Sequence, residues 1–153
     1  MPCRSGPGLL QAHLTEGILG AFYEVHSELG AGFLESVYEN AMVLALRGRG
    51  LPVARQVPIS VWFRGVRVGD FRADMVVGSL VLVELKACRC LEPAHEAQVL
   101  NHLRATDLEV ALLLNFAPRA QFKRLVYENA RKAGRSPILR SPPAPPSAAE
   151  GES

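Results

Sequence analysis

Cysteine is scarce: Cys3, Cys88 and Cys90 are three residues in 153, an odd number, and two of them are separated by a single residue. That pattern builds no disulfide framework, so reduced thiols are expected. Net charge is small as well. A formal charge of +2 does not announce a polyanion binder, although a basic patch can sit on a nearly balanced protein. No apolar run reaches the roughly 18 residues of a membrane span, and Met1 to Gly8 lacks the apolar core of a signal peptide. The expectation is a soluble, cytoplasmic protein with no membrane association. Internal repeats are missing too: the YEN of Tyr38 to Asn40 returns only as Tyr127 to Asn129.

What is present suits one domain. With 48% hydrophobic residues, the length allows one sizeable core and is short for two. Residues 134–153 end in SPPAPPSAAEGES, rich in Pro, Ser and Ala, with no large apolar side chain to offset the ordering entropy. The expected organisation is a disordered leader over 1–8, a domain over 9–133 and a disordered tail over 134–153.

Apolar spacing supplies the elements. Ile18, Ala21, Phe22, Val25 and Leu29 form one helical stripe ending at Gly30 and Gly32; Leu34, Val37, Tyr38, Ala41, Met42 and Ala45 form a second, ending at Gly48 and Gly50. After Pro52 the period shortens to alternation from Val53 to Val68, with Arg64-Gly65 as the turn of a hairpin. Phe71 to Val77 and Leu80 to Ala87 read as further strands joined by Gly78-Ser79, giving a meander of three or four strands. Pro93 opens a helix through Arg104, and VALLLNF from Val110 to Phe116 reads as a strand covered on both faces. Strand, helix and strand in that order form a βαβ crossover, so the last of these strands runs parallel to the one ending at Ala87. Phe122 to Val126 reads as a short edge strand. The fold class is α+β with an α/β-type core: two N-terminal helices, a mixed sheet of four to five strands and a βαβ crossover near the C-terminus.

Charges inside apolar strands ask for a reason. Asp74 interrupts FRADMVV, and Glu84 and Lys86 interrupt VLVELKA. Alternation puts Glu84 and Lys86 on one face, roughly 6 to 7 Å apart along the strand. Pairing across Gly78-Ser79 brings Asp74 near Glu84, because each lies about five residues from the turn. Two partly buried carboxylates repel and lose hydration, which a divalent cation compensates. Mg²⁺ suits them, with Mn²⁺ as substitute, since it takes hard oxygen donors and needs only one or two protein carboxylates. The plainer reading is an ion pair of Lys86 with Glu84 or Asp74. Cys88 and Cys90 with His95 and His102 match none of the usual closed zinc patterns. His95 and Glu96 read first as a helix cap. Arg47, Arg49, Arg55, Arg64, Arg67 and Arg72 face only Asp70 as an opposing charge in their stretch; scattered surface arginines is the simpler account, and Arg72 is retained as a substrate contact.

Gly32 to Tyr38 spells G-x-x-E-x-x-Y within EVHSELGAGFLESVYENAM, and the chain from Leu14 to Val126 resembles the GxxExxY protein family, which is grouped with the PD-(D/E)XK nucleases. The resemblance continues in order through RQVPISVWFRGVRVGDFRADMVV, LVLVELKA, PAHEAQVLNHLRAT and ALLLNF. It implies that Asp74 and Glu84 hold a metal and that Lys86 acts on the attacking water, with Glu35 and Gln98 in support. Where some related nucleases carry Gln-x-x-x-Tyr, this sequence has His102 four residues after Gln98, which keeps a polar group on that helix face without the phenol and is expected to contact substrate. Tyr38 reads first as core and second as a substrate contact. The expected function is Mg²⁺-dependent phosphodiester hydrolysis of nucleic acid, DNA first, by a domain that would cut both strands of a duplex as a homodimer. A catalytically silent nucleic-acid-binding or assembly module is the alternative, and a zinc or iron redox centre on Cys88 and Cys90 is a third class.

Overall fold

The computed structural model describes residues 11–133. The expected leader 1–8 and tail 134–153 lie outside the described residues. Helix α1 (Ala12–Leu29) buries Thr15, Ile18, Ala21, Phe22 and Val25 at three-and-four spacing. It stops at Gly30, whose φ of 70° is open to glycine without strain. Helix α2 (Glu35–Gly48) buries Tyr38, Met42, Val43 and Leu46 in the same way.

Strands β1 (Val53–Phe63), β2 (Val66–Val77) and β3 (Val81–Lys86) form an antiparallel meander, helix α3 (Pro93–Arg104) crosses over, and β4 (Val110–Asn115) returns parallel to β3. Strand β5 (Gln121–Val126) closes the sheet antiparallel to β4, and α4 (Asn129–Ala133) follows it. Sheet order is β1-β2-β3-β4-β5, a mixed α+β architecture with the βαβ unit at its centre. The reading of Phe71–Val77 as a separate strand is corrected: β2 is continuous from Val66, because Gly69 still pairs with Val61 beside a bulge at Val61/Trp62. Glycine there weakens the strand without ending it.

Alternation splits the interior into two layers. Val81, Val83, Leu85, Val110, Leu112 and Leu114 meet α1 and α2, whereas Leu82, Ala111 and Leu113 meet Val99 and Leu103 of α3. Every residue of β4 is buried, which is why its sequence shows no polar alternation. Each buried leucine of these layers stabilises the fold by about 2 kcal/mol. Phe116, just past β4, stacks on Tyr38 at 4.1 Å and meets Phe22 edge-on at 4.9 Å, tying both helices to the end of the sheet where β3 stops.

Candidate active site

The β2–β3 ladder pairs Val77 with Val81, Val76 with Leu82 and Met75 with Val83, and there it stops. One further step in the same register would set Asp74 opposite Glu84, as the residue count from the turn anticipates. Instead of a ladder bond, the Leu85 amide donates to Asp74 Oδ2 at 2.7 Å. The carboxylate therefore sits in the gap where the two strands part. Burial pushes its pKa up to about 6; the Leu85 amide pulls the other way, and Glu84, then Glu39 and Glu35, raise it further.

Glu84 is buried in the middle of β3, and its Oε2 lies 2.9 Å from His102 Nδ1 on the covered side of α3. With Glu84 ionised, Nδ1 carries the proton and donates. Nε2 of His102 is buried with no hydrogen-bond partner among the described residues. A bare lone pair there costs less than a stranded N–H, which fits the tautomer with hydrogen on Nδ1. Phe71 packs against the imidazole with ring centroids 4.9 Å apart. At 3% exposure His102 is covered, and its ring bonds Glu84 rather than facing solvent.

Lys86 ends β3 on the Glu84 side, half-buried, and its ammonium makes no ion pair or hydrogen bond among the described residues. The plain ion-pair account of E-x-K is not what the structure has. As the crossover between parallel strands, α3 runs opposite to β3. Gln98, one turn before His102 and so about 6 Å along the helix, stands toward the Lys86 end and is exposed. The loop after Lys86 is fixed by Asn115, fully buried, whose Oδ1 accepts from Cys88 N and whose Nδ2 donates to Cys88 O, each at 3.0 Å. Sequence reading passed over Asn115; a lone amide closing an apolar run was its signal.

Other expected residues lie apart. Tyr38 is fully buried, donates to Gly30 O at 2.6 Å and accepts from Phe33 N at 3.2 Å, so its assignment as a substrate contact is withdrawn in favour of core packing. Glu35 is the exposed first residue of α2, within electrostatic range of Asp74. Arg72 is exposed and donates to Gln56 O at 3.3 Å. His95 Nδ1 accepts from Glu92 N at 3.0 Å and completes the cap of α3, and with His102 bound to Glu84 neither histidine turns toward a cysteine site.

A family model described as the PD-(D/E)XK nuclease superfamily matches residues 12–125. The chain belongs to the PD-(D/E)XK nuclease superfamily. No curated protein matches it. Among solved structures it is similar to the crystal structure of SSO0001, at 14% identity and a TM-score of 0.46, covering 82% of this chain and 59% of that one. Against the pattern in the superfamily's name, Asp74, Glu84 and Lys86 supply D, E and K, while Ala73 stands where the name has proline.

Nucleases of this superfamily generally use divalent metals. Among the described residues no group of three or more His, Cys, Asp or Glu is gathered as a cage. Two carboxylates do meet the need of a cation that keeps most of its waters. Asp74 and Glu84 offer oxygen only, each has one oxygen without a hydrogen bond among the described residues, and the raised pKa of Asp74 marks a carboxyl drawn out of water, with acidic neighbours adding to the effect. The donor set fits a hard divalent ion. No helix among the described residues is long and apolar enough to cross a membrane.

Proposed function

We propose that the protein is a Mg²⁺-dependent nuclease of the GxxExxY branch, hydrolysing phosphodiester bonds in nucleic acid, with DNA the first substrate to test. The observation that carries this reading is Asp74: a carboxylate pushed up to about 6 by burial and by its acidic neighbours, beside Glu84 and with an unengaged lysine on the same strand face. Asp74 and Glu84 would hold the ion, with Mn²⁺ as a substitute. When bound, it would lower the pKa of a coordinated water and offset charge developing on the phosphate.

The chain's own groups do the rest. His102 aims Glu84 by its hydrogen bond to Oε2, and the Leu85 amide does the same for Asp74 Oδ2. Lys86, with no partner to give up, orients the attacking water or takes its proton. Gln98 and Glu35, both exposed near this end of the molecule, are assigned to positioning substrate and outer waters, and Arg72 to a phosphate contact. A cytoplasmic location and a homodimer that cuts both strands of a duplex complete the proposal.

A silent nucleic-acid-binding module is the second reading, favoured by one observation: His102 already occupies an oxygen of Glu84. Nucleic-acid affinity measured with and without Mg²⁺, alongside cleavage, separates the two. The nuclease requires metal for cleavage; affinity that ignores metal together with intact substrate at every metal concentration favours the module.

A further inference from the structure

Gln56 lies in the middle of β1 with a φ of 47°, a left-handed conformation that costs a non-glycine residue on the order of 1 kcal/mol or more. Its neighbours pair normally, Arg55 with Met75 and Val57 with Ala73, yet the pair between them, Gln56 with Asp74, is absent from the ladder. Packing changes sides at this point. Val53, Met75 and Val77 belong to the layer under α1 and α2, whereas Val57, Ile59 and Ala73 belong to the layer under α3. Residues two or four apart along a strand normally share a face, so both strands turn over at Gln56 and Asp74.

The turn is held from three directions. Glu39 of α2 accepts from Gln56 Nε2 at 2.9 Å with one oxygen and from Arg55 Nε at 3.1 Å with the other. Arg55 also donates to Asn40 Oδ1 on the same helix. Arg72, on β2, donates to the Gln56 carbonyl at 3.3 Å. A strained residue gripped through its side chain and its carbonyl is over-determined by its surroundings, the condition under which such strain persists.

We infer that Glu39 and Gln56 form a positioning clamp that breaks the β1–β2 ladder at one residue and so turns the Asp74 carboxylate to the Leu85 amide, beside Glu84. The clamp rests on the proposed metal-binding role only for its purpose; its geometry stands without it. The hydrogen bonds of Glu39 go to Arg55 and Gln56 and not to Asp74 or Glu84, so the clamp acts through the backbone of β1, beside the charge by which Glu39 raises the Asp74 pKa. With Asp74 and Gln56 paired in a regular ladder, the alternation of β2 would run unbroken and the carboxylate would lose its place in the gap.

The conformation, rather than the amide group, is the active ingredient, and two substitutions separate them. Glycine takes a φ near 47° readily, and valine does not. The Leu85 amide proton of the metal-free protein is followed by NMR at pH 8, with Asp74→Ala marking the position of the resonance when the carboxylate is missing. Gln56→Val should move it most of the way to that position, and Gln56→Gly should leave it near the wild-type one. Mn²⁺ affinity, measured on the same proteins by calorimetry, should fall at least tenfold in Gln56→Val and less than threefold in Gln56→Gly. A Leu85 resonance unmoved by valine, or moved equally by valine and glycine, overturns the clamp. A wild type that binds no Mn²⁺ refutes the metal reading, and the amide resonance then decides the clamp by itself.

Discussion

Asp74 concentrates the chemistry at the scale of single residues. Its folded pKa of about 6 lies above the unfolded carboxylate value of about 3.9, so the folded state holds this proton more tightly. The sign follows from linkage: the contribution of Asp74 to metal-free stability is most favourable below about pH 4 and declines as pH rises through 6. Asp74→Asn should remove that slope and stabilise the metal-free protein at pH 7.5 by on the order of 1 kcal/mol, solvent screening keeping the gain below the full linkage value. Urea unfolding from pH 4 to 8 checks it, and an unchanged slope refutes it. Since a bound cation requires the ionised form, Mn²⁺ affinity should also weaken by about tenfold per pH unit below about 6, read from calorimetric titrations. His102→Leu strands a buried carboxylate and should cost about 2 to 3 kcal/mol by the same unfolding measurement. Tyr38→Phe loses a hydroxyl bonded at both ends, at a cost of about 1 to 2 kcal/mol. Cleavage by Tyr38→Phe should equal that of the wild type; a hundredfold loss would return Tyr38 to the site.

Among the elements, helices and buried strands were readable because their periods follow directly from burial. Ile18 to Leu29 shows the three-and-four stripe that α1 buries, and VALLLNF shows the unbroken apolarity of a strand covered twice. The alternation that begins at Val53 runs to Val68 and Phe71 to Val77 reads as a strand of its own, and only the partner strand reveals that Gly69 still pairs. Asp74, Glu84 and Lys86 stood out as charges among apolar neighbours. Their supports did not: His102 reads as a substrate contact, and Gln56, Glu39 and Asn115 are ordinary polar letters until strands and helices meet. Register and positive φ are properties of pairs and of backbone, which one-dimensional spacing does not encode. Asn115→Ala tests one such support at this scale. Freeing both backbone groups of Cys88 should cost about 2 to 3 kcal/mol and lower cleavage at least tenfold through Lys86, whereas loss of stability with full cleavage would make Asn115 purely structural.

At the scale of the described molecule, α1 and α2 cover one face of the sheet and α3 the other, and the parting of β2 and β3 is where carboxylates enter its covered middle. Membership of the PD-(D/E)XK nuclease superfamily fits that architecture. It does not by itself settle activity, because a fold hosts functions through its site. The most direct test is cleavage of mixed single-stranded and duplex DNA and RNA with Mg²⁺ or Mn²⁺, comparing wild type with Lys86→Ala and Asp74→Ala. The account predicts metal-dependent cleavage by the wild type and a loss of at least a hundredfold in both variants while they remain folded. Intact substrate with a wild type that binds metal, or full cleavage by either variant, would contradict it.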